Sequence, residues 1–189
     1  MSGFIPPAKP IIGDEERAAV DRVLRSGMVA QGPEVAAFEE EFARHFVSGR
    51  PVVAVNSGTA GLHLGLLAAG VGPGDEVIVP SFTFAATGNS VALTGASPVF
   101  ADIEPDTFTL APDAVEAAIT SRTRAILPVH LYGHPARMRE IEEIAARHGV
   151  EVYEDAAQAH GAALDGRPVG TFGEFGMFSL YPTKNMTSG

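Results

Sequence analysis

A few short stretches of the chain carry side chains suited to chemistry at a ligand. Asn56-Ser57-Gly58-Thr59-Ala60 leads from an apolar run straight into a helical pattern. Free amides at a helix start, with hydroxyls on either side of Gly58, have the parts of an anion cradle. Ser or Thr before an apolar helix serves equally as an ordinary N-cap. Phe84 stands where another helical pattern opens, and its ring can stack on a planar ligand or fill the core. Asp155 follows the apolar run 150–153, so its carboxylate needs a partner: a protonated ring nitrogen, a metal, or backbone amides at the next helix start. Ser179 can donate to the anion that Ser57 faces, or simply end its strand. Lys184 lies five residues further on, in a Pro/Thr/Asn turn. It is either a solvated amine or, facing a pocket, a nucleophile able to condense with a carbonyl.

Other constellations are weaker. His130 and His134 are four apart, but Gly133 and Pro135 keep them off one helix face. His160 lies near Asp155, yet no HExxH-type pattern supports a metal, and none is expected. His45, His63 and His148 read as structural. No Walker A sequence exists, and Gly70-Val71-Gly72-Pro73-Gly74 follows a helix, the wrong context for a dinucleotide loop.

Composition narrows the classes. The chain has 189 residues, 46% hydrophobic, with 23 acidic and 13 basic side chains and a formal charge of -10. That is too apolar for a disordered tail, and acidic enough, with no Lys/Arg run, to argue against nucleic acid. With no cysteine, disulfides, thiolate zinc and a Cys nucleophile are excluded. The first residues lack the pattern of a signal peptide, and no apolar run approaches the roughly 18 residues of a membrane span. A soluble, cytoplasmic protein is expected.

The elements that must position these residues alternate regularly. Strands are expected at 52–55, 76–79, 98–101, 125–129, 150–153 and 176–180. Most lack strict alternation of polar and apolar residues, as strands covered on both faces do. Helices are expected at 59–69, 82–93, from Pro112, and at 135–148, where Met138, Ile141, Ile144 and Ala145 form one stripe. Two amphipathic helices precede them, one after Asp14 with Val20, Val23 and Leu24, one from Pro33 with Val35, Phe38, Phe42 and Phe46. The order predicts an α/β fold: a mostly parallel sheet with helices on both faces. Ligands of such sheets bind beyond the carboxyl ends of the strands, where the candidate residues collect.

Taken in order, the set resembles fold-type I enzymes that use pyridoxal 5'-phosphate, and more narrowly the DegT/DnrJ/EryC1/StrS family of sugar aminotransferases. The resemblance rests on Gly27-Met28-Val29-Ala30-Gln31-Gly32-Pro33-Glu34-Val35, Asn56-Ser57-Gly58-Thr59-Ala60, Gly72-Pro73-Gly74-Asp75-Glu76, Phe82-Thr83-Phe84 and Asp102-Ile103. It continues through Glu154-Asp155-Ala156-Ala157-Gln158-Ala159-His160-Gly161 and Ser179-Leu180-Tyr181-Pro182-Thr183-Lys184-Asn185. It implies that Lys184 holds the cofactor covalently and shuttles a proton, and that Asp155 pairs with its ring nitrogen. Gln158 would bond the ring hydroxyl, Phe84 would stack on the ring, and Ser57, Gly58, Thr59, the Ala60 amide and Ser179 would surround the phosphate. The implied reaction moves an amino group from glutamate to a nucleotide-linked keto sugar, in a homodimer; a lyase or aldolase of the same fold, or a non-catalytic fragment, is the alternative. Gly61 stands where many members have Ala, a change expected to touch helix packing rather than chemistry.

The resemblance also sets expectations about extent. Residues 1–32 would be an arm and helix, and 33–189 the large cofactor domain, cut short after the lysine. In the family the strand at 52–55 pairs with one that follows the lysine; without it, 52–55 would present an open apolar edge.

Overall fold

The computed structural model describes residues 8–188. The first seven residues of the expected arm, and Gly189, lie outside them. The chain runs through α1 (Asp14–Ser26), α2 (Pro33–Phe46), α3 (Gly58–Ala68), β1 (Glu76–Pro80), α4 (Ala86–Leu93), β2 (Ser97–Ala101), α5 (Pro112–Ala118) and β3 (Thr123–Ile126). A 3₁₀ turn (Leu131–Gly133), α6 (Met138–His148), β4 (Glu151–Asp155), the small strands β5 (Ala163–Leu164) and β6 (Arg167–Pro168), and β7 (Phe175–Met177) follow.

Five strands form one sheet in the order β2-β1-β3-β4-β7, and every pairing in it is parallel. Side chains alternate between its two faces. Val77, Val79, Leu127 and Tyr153 join Leu62 and Leu66 of α3 and Val91 of α4 in one apolar cluster. Ile78, Ile126 and Val152 join Val115 of α5 and Met138, Ile141 and Ile144 of α6 in another. β1, β3 and β4 are thus apolar on both sides, which is why the sequence shows runs rather than alternation there. The expected α/β architecture holds.

The connection from β4 to β7 carries the β5–β6 hairpin instead of a helix. α3 lies close over β7: a Cβ on Gly65 would come within 2.6 Å of the Phe175 ring. At Gly61 the added carbon would stand 3.0 Å from Met177 Cγ, so that position does bear on packing.

Several expected boundaries are corrected. Residues 52–55 form no strand; they have no ladder partner among the described residues, and Val53 is 74% exposed. The Ala54 amide donates instead to Glu39 Oε1 on α2, 2.8 Å away. The helix expected from Phe82 begins at Ala86, because Ser81 N still donates to Ala101 O at 2.8 Å and extends the β1–β2 ladder beyond Pro80. The helix expected from Pro135 begins at Met138; the amide of Ala136 is drawn away to His130 Nδ1 at 3.0 Å. The last strand occupies Phe175–Met177 and ends before Ser179.

α2 docks through phenylalanines. Phe42 is buried, stacks on Phe46 at 4.7 Å, and meets Phe178 edge-on at 5.1 Å. α1 buries no residue, and its Val20 and Leu24 face outward.

Candidate active site

One cavity of about 1230 Å³ opens beyond the carboxyl ends of β1, β3, β4 and β7. Ser57, Gly58, Thr59, Phe84, Asp155, Gln158, Ser179 and Lys184 all line it; of the residues singled out above, only Ala60 does not. The cavity also runs along residues 52–55 and β7, on the side where β7 has no further strand neighbour among the described residues.

The helix start Ser57–Thr59 behaves as an N-cap. Ser57 is extended, and its Oγ accepts from Ala60 N at 3.1 Å. The Ala60 amide is therefore committed to the cap. Capping does not remove the partial positive charge of the eleven-residue α3, whose first turn faces the cavity.

Asp155 ends β4 and is 5% exposed. Its Oδ2 accepts from Thr87 Oγ1 at 2.9 Å and its Oδ1 from Ala157 N at 3.1 Å. Burial pushes its pKa above the ordinary carboxylate value; the Ala157 amide, the Thr87 hydroxyl and the nearby charge of Lys184 oppose that rise without cancelling it. A cation placed in the cavity would favour the ionised form. Thr87, on α4, escaped the sequence reading. Its hydroxyl also meets Thr83 Oγ1 at 3.2 Å, which leads back to the cavity wall.

Beneath Asp155, Glu154 points to the other side of β4 and is fully buried. Its Oε1 accepts from the amides of Phe172 (2.6 Å) and Gly173 (2.8 Å), and its Oε2 from Gly170 N (2.7 Å). His130 Nε2 completes the set at 2.9 Å. Because His130 Nδ1 accepts from Ala136 N, the ring donates at Nε2. Four donors on one buried carboxylate make a closed, satisfied cage. The loop can wrap this tightly only with glycine, since a Cβ on Gly173 would lie 2.1 Å from Val152 O. Sequence spacing gave no sign of the cage, whose partners are up to 24 residues apart.

Gln158 is held by its carbonyl oxygen, which accepts from Tyr132 N at 2.7 Å, leaving its NH₂ as the group free to donate elsewhere. Phe84 is 73% exposed, a ring presented outward and not packed in the core. Ser179 sits just beyond β7, and Lys184 is half-buried in a turn closed by its own amide on Tyr181 O at 2.8 Å.

These parts match known proteins. The sequence model of the DegT/DnrJ/EryC1/StrS aminotransferase family matches residues 10–189. The uncharacterized protein MJ1066 of Methanocaldococcus jannaschii is 46% identical over 186 residues, covering 98% of this chain and 48% of that protein. DesV of S. venezuelae, solved in complex with a ketimine intermediate, superposes with a TM-score of 0.89 at 52% identity, over 92% of this chain and 47% of its own. The sugar aminotransferase Spr1654 of Streptococcus pneumoniae, described as putative and solved in a PLP form, gives a TM-score of 0.93 at 33% identity, over 97% of this chain and 50% of its own. The chain thus spans about half the length of the relatives it matches. With a family match over nearly its whole length, and its candidate residues gathered at the rim of a parallel sheet, the chain belongs to the DegT/DnrJ/EryC1/StrS aminotransferase family.

Proposed function

We propose that the chain is the cofactor-binding part of a pyridoxal-phosphate-dependent sugar aminotransferase. It would move an amino group from glutamate to a nucleotide-linked keto sugar, acting in the cytoplasm as part of a homodimer. Residues 33–189 would be the cofactor domain and 1–32 an arm. The observation that carries the reading is the convergence of a helix N-terminus, an exposed aromatic ring, a buried carboxylate and an amine on one cavity. That donor set fits a planar, phosphorylated, cationic ring. The α3 start and Ser179 would hold its phosphate, Phe84 one face, Gln158 its hydroxyl, and Asp155 its ring nitrogen.

When bound, the cofactor supplies an electron sink that makes a carbon–hydrogen bond of the substrate acidic. The chain's own residues do the rest. Asp155, whose pKa is raised by burial, would gain a cationic partner in the cofactor's ring nitrogen and would favour its protonated form. Lys184 Nζ would be the group that accepts and returns the proton of the substrate carbon.

The test is amino transfer itself, in the protein that contains this chain. With labelled glutamate and a nucleotide-linked keto sugar, the sugar should gain the label and the mass of an amine. Loss of water or carbon–carbon cleavage, with no amine gained, would mark the lyase or aldolase reading instead.

A further inference from the structure

His160 lies outside the set that faces the cavity, and nothing in the proposed chemistry uses it. It is nevertheless tied to the lysine turn by two reciprocal bonds. Its Nδ1 lies 2.8 Å from Asn185 Oδ1, and its carbonyl oxygen accepts from Asn185 Nδ2 at 3.2 Å. A carbonyl oxygen can only accept, so Asn185 must turn its NH₂ toward it and its oxygen toward the ring. The Nδ1 atom therefore carries the hydrogen. Burial holds the ring below the usual histidine pKa; Asn185 and the Ser179 backbone oppose that shift, and the charge of Lys184 adds to it. The neutral ring then has one donor, and it is spent on the residue next to Lys184.

The other ring nitrogen, Nε2, is buried with no hydrogen-bond partner among the described residues. The ring packs against Phe178 at 5.4 Å and Phe42 at 6.3 Å. If the position served packing alone, a phenylalanine would fill it without an unpaired polar atom, which costs about 1–3 kcal/mol. The polar ring is explained by Asn185.

We propose that His160 and Asn185 form a clamp that fixes the turn carrying Lys184 to the loop carrying Asp155 and Gln158. They are positioning residues: they set where the amine stands relative to the carboxylate. This rests on the reading of Lys184 as the residue that holds the cofactor.

The test uses the full chain and four variants: Asn185→Ala, His160→Phe, His160→Asn and the Phe/Ala double. Hydrogen exchange at the Lys184 amide should rise about tenfold in Asn185→Ala and His160→Phe, while the amides of β1 and β3 stay protected. His160→Asn, which keeps a donor at the δ position, should stay near the parent. The double variant should exchange no faster than Asn185→Ala alone, since the ring bond that His160→Phe removes is one of the two that Asn185→Ala removes. In parallel, the rate at which pyridoxal phosphate and borohydride label Lys184 should fall about tenfold in the same two single variants. Parent-like exchange in His160→Phe, additive effects in the double, or faster exchange with unchanged labelling would each overturn the clamp. If the parent itself takes no label at Lys184, the cofactor reading fails, and the exchange pattern alone judges whether the clamp anchors the turn.

Discussion

Asp155 shows how burial and partners compete at one residue. Its pKa is raised above 3.8, so the folded chain holds that proton more tightly than the unfolded chain. The group therefore favours folding most below the unfolded value, and that contribution is lost as pH rises through the folded one. Asp155→Asn removes this dependence and can keep both hydrogen bonds. In the cofactor-free chain at pH 7 it should melt about 2–4 °C higher than the parent, with the difference vanishing near pH 3–4, as calorimetry across that range would show. Thr87 is the second residue to test. Thr87→Val leaves Asp155 Oδ2 without its hydroxyl donor and should weaken pyridoxal phosphate binding about tenfold in an absorbance titration, whereas Thr87→Ser should restore it. Asp155, Phe84 and Lys184 each carried an ordinary structural reading alone and stood out in the sequence only as parts of an ordered set. Thr87 did not: a threonine inside a helix acquires meaning only from a carboxylate 68 residues away.

At the scale of elements, the loop 170–173 is what lets two acidic residues stand side by side on β4. Gly173→Ala would drive its Cβ into the Val152 carbonyl and open the Glu154 cage. The expected cost is about 3 kcal/mol or more, measurable as a fall in the denaturant midpoint. Gly170 and Gly173 stand in the loop and Gly176 in β7, and the carboxylate that the loop encloses left no local trace in the sequence. Strand interiors were legible because both their faces are buried; their ends were not. Phe82 and Pro135 look like helix starts, yet the amides that would begin those helices go to a neighbouring strand and to His130. The β5–β6 hairpin did carry a signal that went unread, the Asp165-Gly166 pair at its turn. The failed strand at 52–55 is the instructive case. Its apolar residues fit a sheet, but a strand needs a partner ladder, and none stands beside it among the described residues.

For the whole molecule, the order of elements specified the parallel sheet, and the sheet specified where a ligand must sit. Every strand of the five-stranded sheet runs the same way, so the carboxyl ends of β1, β3, β4 and β7 bring residues from Ser57 to Lys184 to one rim. The central claim is that this rim holds pyridoxal phosphate on Lys184. The sequence makes that claim unusually easy to test, because the chain contains only two lysines, Lys9 and Lys184. Pyridoxal phosphate bound to the chain, reduced with borohydride and followed by peptide mapping, should leave the label on Lys184, and Lys184→Ala should remain unlabelled. Label on Lys9, or labelling that survives Lys184→Ala, would contradict the account.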